Sequence, residues 1–305
     1  MTWFWIALIG PALYAFANHT DKYLISRYFK GGEVGALIIF SGIFSVVALP
    51  VIYWLAPTTL AVTPVRALIL AVNGSLTVIS VLLYLYALRQ DEASVVVPFY
   101  QTIPIFGFGL SYFILGEKLS VWQLVGSAVI IIGAFILSIR LEENGGLRFR
   151  GRVVGLMLAA SLLYAVNGVI FKLLALDSGF WQPAFWTFLG KAAIGVLLFL
   201  LIASYRRQFL AVLKLNRGFV LGLNSGNEVA TIIADGVTYY ASLLAPVALV
   251  LTVNGFQPVF VFIYGVLLTL FLPRIAQERL VGPLLAQKIL AIALVFAGSV
   301  MIGFA

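Results

Sequence analysis

The sequence has no cysteine and a single histidine, His19. Disulfide and thiolate chemistry are therefore excluded, and one imidazole cannot build a multi-histidine metal site, so neither a metal nor a cofactor is expected. Charge is also scarce. Only 10% of the 305 residues are charged while 63% are hydrophobic, and the mean hydropathy is +1.10. A soluble domain carries about 25% charged residues, so the chain reads as an all-α polytopic membrane protein. No Gly-x-x-x-x-Gly-Lys-Ser/Thr element is present to cradle nucleotide phosphates, which excludes ATP hydrolysis by this chain. A lone histidine near a helix end does not supply the serine-histidine or metal constellation of an intramembrane protease, and no enzyme activity is expected. The charge rings or repeated carbonyl filters of a channel are not visible either. The net charge of +8 is carried between apolar runs, where it reads as a topology signal and not as a nucleic-acid surface. The first run begins at Thr2 without a basic segment or a small-residue cleavage site, and reads as a retained helix.

Crossing a ~30 Å hydrocarbon core takes about 20 apolar residues. Ten runs meet that length, near Trp3 to Lys22, Val34 to Leu55, Ala67 to Leu88, Ser94 to Leu115, Val121 to Ile139, Val153 to Leu174, Pro183 to Ser204, Phe219 to Tyr240, Leu243 to Leu272 and Leu284 to Phe304. The polar stretch 140–152 divides the chain into two groups of five, 1–139 and 153–305. The groups share a weak repeat. Leu13-Tyr14-Ala15 with Lys22 recurs as Leu163-Tyr164-Ala165 with Lys172, and Tyr86-Ala87 followed by Pro104-x-Phe106 recurs as Tyr240-Ala241 and Pro258-x-Phe260. Because five is odd, the repeats enter the membrane from opposite sides, giving ten transmembrane helices in two inverted five-helix repeats. Loops one, three, five, seven and nine hold nearly all the loop lysine and arginine; the opposite side holds Arg66 and Lys118. The odd loops are therefore expected in the cytoplasm and both termini outside, in a prokaryotic inner membrane.

The eighth run carries the most expensive residues. Asn224, Glu228, Thr231, Asp235 and Thr238 follow at steps of four, three, four and three, which keeps them within a stripe roughly 80° wide on one helix face. Asn227 lies beside it. Ionisable groups inside a membrane are costly and point to function. Glu228 and Asp235 are expected to bind a proton or a cationic group, or else to be neutralised by Lys191 of the seventh run, which sits too deep to reach an interface. In the third run Asn73, Thr77, Ser80 and Tyr84 repeat the same spacing without charge. One wall is thus acidic and the other neutral, which suits a cationic or zwitterionic solute. Tyr14, Asn18 and Asp21 share a face of the first run, as Tyr164 and Asn167 nearly do in the sixth, and could close the two ends of the cavity; Asn73, Thr77, Asn224, Asn227, Asn254 and Gln257 could orient the solute. Lys22 and Lys172 are expected to snorkel to the headgroups. Pro98, Pro104, Pro246 and Pro258 interrupt the fourth and ninth runs and are candidate hinges.

The segments Tyr86-Ala87-Leu88, Glu92-Ala93-Ser94, Pro98, Pro104, Leu115-Gly116-Glu117-Lys118-Leu119 and Gln123-x-x-Gly126 resemble the first-half signature of the EamA family in the drug/metabolite transporter superfamily. Asn18 to Lys22, and Asn167 with Lys172, resemble its small-polar-then-lysine pattern. The second half departs from it, with Leu270-Phe271-Leu272-Pro273 in place of the Gly-Glu-x-Leu element. The resemblance implies an export or exchange carrier whose central cavity is lined by the first four helices of each half. The expected function is secondary transport of a small organic metabolite, cationic or zwitterionic such as an amino acid, by alternating access with proton coupling or exchange. The alternative is a translocase for lipid headgroups or polyprenyl-linked sugars, which would need a groove open to membrane lipid.

Overall fold

A computed structural model describes residues 2–27, 34–90, 96–138, 151–214, 217–271 and 283–303. Most of the connecting loop 140–152, and the loop residues Lys30, Arg140, Arg148, Arg150, Arg274 and Arg279, lie outside the described residues. So does the side chain of Lys22.

Long apolar segments fold as helices because in lipid each backbone amide and carbonyl must be paired within its own segment. The helices are α1 (Thr2–Arg27), α2 (Val34–Phe44), α3 (Ala48–Leu55), α4 (Pro64–Leu88), α5 (Ile103–Leu110), α6 (Val121–Ser138), α7 (Gly151–Ser178), α8 (Trp181–Leu201), α9 (Ala203–Lys214), α10 (Arg217–Leu244), α11 (Val247–Val253), α12 (Gln257–Phe271) and α13 (Pro283–Gly303). No strand occurs among the described residues. Six helical segments are long and apolar enough to cross a membrane, and 99–115 and 121–136 are shorter apolar helices. With 26 and 28 residues, α1 and α10 are also long enough at ~1.5 Å per residue, but both carry ionisable side chains. Large apolar residues such as Trp54, Phe113, Leu201 and Phe271 point outward.

The four candidate hinge prolines fall at breaks between helical pieces, whereas Pro11 lies inside α1. Pro98 and Pro104 stand in the first turns of a 3-10 segment (Val97–Thr102) and of α5, and Pro246 precedes α11. A second 3-10 turn, Asn254–Phe256, separates α11 from α12, in which Pro258 is the second residue. A proline lacks the N–H that a first turn leaves unused, so these sites tolerate it. Gly179, with φ 72°, ends α7 and lets the chain enter α8 after two residues; a left-handed residue there costs glycine nothing.

Small residues set the crossings, because hydrocarbon gives helices no apolar drive to associate and close backbone approach replaces it. At the α4–α8 crossing a Cβ on Gly190 would stand 1.8 Å from the Ala71 carbonyl oxygen, and one on Gly74 1.9 Å from that of Thr187. Gly42 of α2 meets Gly195 of α8, and Gly126 of α6 meets Gly298 of α13. The other extensive contacts pair α1 with α10 and α4 with α7. Between the seventh and eighth apolar runs lies α9, which reads from sequence as loop; it packs on α2 and α8. The Tyr205 hydroxyl of α9 pairs with that of Tyr86, and Gln208 accepts from the Gly35 amide.

Candidate functional site

The α10 stripe faces inward. Asn224, Asn227, Glu228, Asp235 and Thr238 are buried, while Val229, Ile233 and Tyr240 are exposed. This inverts the arrangement of a water-soluble helix. Gly10 lets α1 lie against the stripe, since a Cβ there would come 2.8 Å from Thr238 Oγ1.

At the centre, Asp235 takes one partner on each carboxylate oxygen. The Lys191 ammonium donates to Oδ2, and the Tyr14 hydroxyl donates to Oδ1 at 2.5 Å. Tyr14 has spent its one hydrogen on Asp235, so Tyr164, 3.1 Å away, donates to Tyr14. The Lys191 and Asp235 side chains are 8% and 9% exposed, and the ammonium lies 5.3 Å from the Phe188 ring centre. A second network adjoins. The Tyr239 hydroxyl donates to Asn167 Oδ1 at 2.8 Å, and the Asn167 and Asn73 amides each donate to the other's backbone carbonyl at 2.9 and 3.1 Å. Phe171 stacks on Tyr239 at 4.1 Å and holds its ring in place. Between the networks is a pocket of about 10 Å³ lined by residues including Tyr164, Asn167, Tyr239 and Leu251, room for about one water.

Glu228 does not share Lys191. Its Oε2 accepts from the Ser41 hydroxyl of α2 at 2.9 Å. One residue earlier, Asn227 donates through Nδ2 to Asp21 Oδ1 of α1 at 2.7 Å. Among the described residues neither Glu228 nor Asp21 has a cation within salt-bridge distance.

The other expected residues are divided. Thr77 and Thr231 spend their hydroxyls on carbonyls of their own helices, those of Gly74 and Asn227. Asn18 is exposed; four residues turn it about 40° away from Tyr14, whereas the seven to Asp21 return within about 20°. Asn254 and Gln257 are half-buried at the α11–α12 break, outside the Asp235 network.

Lys172 requires a correction, because it does not snorkel. Its residue exposure is 8%, and Nζ donates to Glu117 Oε1 at 2.5 Å and to the Ala245 carbonyl at 2.8 Å. The second Glu117 oxygen accepts from the Val247 amide at 2.9 Å and caps α11. Glu117 and Lys172 come from opposite halves, and their chain separation of 55 residues hid the pairing. Also missed were Ser41, a single hydroxyl in an apolar run, and Arg66, which bonds the Leu174 carbonyl and lies 3.6 Å from Asp177.

Known proteins bear on this arrangement in three ways. Residues 1–139 match the EamA-like transporter family. A stretch of 68 residues, 22% of the chain, is 41% identical to an uncharacterised protein of Methanocaldococcus jannaschii, and the chain spans 50% of that relative's length. A solved crystal structure superposes with a TM-score of 0.62 over 98% of both chains at 19% identity, a likeness of fold. The long apolar helices mark the chain as an integral membrane protein, and its first 139 residues, which supply Tyr14, Asn73 and Glu117, are similar to the EamA-like transporter family of the drug/metabolite transporter superfamily.

Proposed function

We propose that the chain is a secondary carrier of a small organic metabolite, cationic or zwitterionic such as an amino acid, moved by alternating access of two inverted five-helix halves. The observation that carries this reading is the gathering of Glu228, Asp235, Lys191 and Tyr14 inside an apolar bundle, from α10, α8 and α1. Charges at that depth are costly and face pathways. A zwitterion offers a carboxylate for Lys191 and an ammonium for the carboxylates of the α10 stripe, so its two charges both find partners there. Glu228 takes and releases the proton or cationic group.

Related positions meeting across the middle support an inverted pair. Tyr14 bonds Tyr164, α6 lies along α13, and the α1–α10 contact is mirrored by α4–α7. The packing is otherwise unequal. The helices α4 and α8 are in close contact, whereas their counterparts α10 and α2 meet sparsely, as expected of a carrier closed on one side and open on the other. The basic loop residues support a cytoplasmic position for the odd loops and for α9 with Arg206, Arg207 and Lys214.

The test is counterflow into proteoliposomes preloaded with amino acids, polyamines or nucleosides. Uptake above protein-free liposomes for at least one amino acid or polyamine is expected. No uptake across the panel would refute the reading.

A further inference from the structure

Resting on the reading of the α10 stripe as the transport face, the side chains at its cytoplasmic end form a distinct unit. Three described carboxylates, Asp21 of α1 and Glu228 and Asp235 of α10, share this region with one described ammonium, Lys191, which bonds Asp235. Asp21, Asp235 and Lys191 all lie within electrostatic reach of Glu228, and Tyr84 of α4 within reach of Asp21. With Lys191 bonded to Asp235, Asp21 and Glu228 have one amide hydrogen and one hydroxyl as their direct partners and no ion pair among the described residues, in a setting where unpaired charge is costly.

A second observation concerns neutral oxygens. Asn227 and Asn224 are each 3% exposed, and the Oδ1 of each is buried without a hydrogen-bond partner. The Asn227 oxygen belongs to the amide that donates to Asp21, so it lies at the carboxylate pair. Asn224 is one turn away. Buried carbonyl oxygens are normally paired, and these two orphans with the two carboxylates make a set of acceptors that outnumbers its donors, Asn227 Nδ2 and Ser41 Oγ.

We infer that Asp21, Glu228, Asn227 and Asn224 form a binding site for one small monovalent cation between α1 and α10, bounded by Ser41, which takes an alkali ion or the primary ammonium end of the carried solute. An alkali ion is a hard cation and takes oxygen ligands of this type, and an ammonium donates its N–H groups to the same oxygens. The Asp235–Lys191 pair remains outside the site.

The experiment is thermal unfolding of the purified full chain in detergent, titrated with sodium, lithium, potassium or methylammonium chloride. Ionic strength is held constant with N-methyl-D-glucamine chloride. The expected result is a saturable rise in Tm with an alkali ion, or with methylammonium if the site serves the solute. Asp21→Asn and Glu228→Gln should each raise the half-saturating concentration about tenfold, equivalent to ~1.4 kcal/mol. Asn227→Leu, which keeps both carboxylates, should weaken binding too, and Glu117→Gln should leave it unchanged. A wild-type response equal to that of N-methyl-D-glucamine, or full response in both isosteric variants, would overturn the site. Flux without a cation response removes the site and leaves the carrier; a cation response without flux removes the carrier and leaves the site.

Discussion

Removing Lys191 should cost far more than removing Lys191 and Asp235 together. In Lys191→Met the Asp235 carboxylate keeps the Tyr14 hydroxyl on Oδ1 and loses the ammonium on Oδ2. Both partners are more than nine-tenths buried, so water does not take the empty place. Breaking a buried pair from one side costs about 3–5 kcal/mol, because the remaining charge is stranded. Lys191→Met with Asp235→Asn strands no charge, and the amide oxygen still accepts from Tyr14. Its cost should stay below about 2 kcal/mol, giving a coupling of at least ~2 kcal/mol where exposed pairs show about 0.2–1. The assay is a double-mutant cycle by steric-trap unfolding in bicelles. Additivity within about 0.5 kcal/mol, or a single-variant cost below about 1 kcal/mol, would refute the placement of Lys191 against Asp235.

Gly190→Ala should cost about 3 kcal/mol by the same unfolding assay, since its Cβ would collide with the Ala71 carbonyl. In Gly222→Ala the Cβ meets nothing within 4 Å, so the change should be neutral or stabilising by up to about 1 kcal/mol; equal losses in both would contradict the α4–α8 crossing. Glu117→Gln removes the charge facing Lys172 and leaves its buried ammonium with neutral oxygens only, and a loss of about 3 kcal/mol is expected. A Tm unchanged from the wild-type protein would restore the snorkelling reading of Lys172.

Much of the fold is legible because lipid imposes a simple length rule, and the α10 stripe is legible because five polar residues at helical spacing have one face to occupy. The same reasoning raised Lys191 as a partner from its depth alone. It failed to choose between Glu228 and Asp235, since that depends on how far along α10 the α8 crossing falls. Gly74 and Gly190 seat α8 on α4 and so fix where Lys191 falls, through a contact that joins residues far apart in the chain. Lys172 was misread for a related reason. A lysine at a run's end snorkels by default, and only the placement of Glu117 beside Ala245 and Val247 offers a better partner. The amphipathic α9 was lost inside a loop because its 12 residues are too few to span a membrane. The acidic excess at Asp21 and Glu228 was visible only in part, because Asp21 lies at the end of another helix.

The central claim is that Glu228 exchanges a proton or cation as the solute moves. Solute accumulation by proteoliposomes under an imposed pH gradient, compared between the wild-type protein and Glu228→Gln, tests it most directly. The account predicts that the variant loses gradient-driven accumulation while counterflow without a gradient continues; accumulation at the wild-type rate in Glu228→Gln would contradict it.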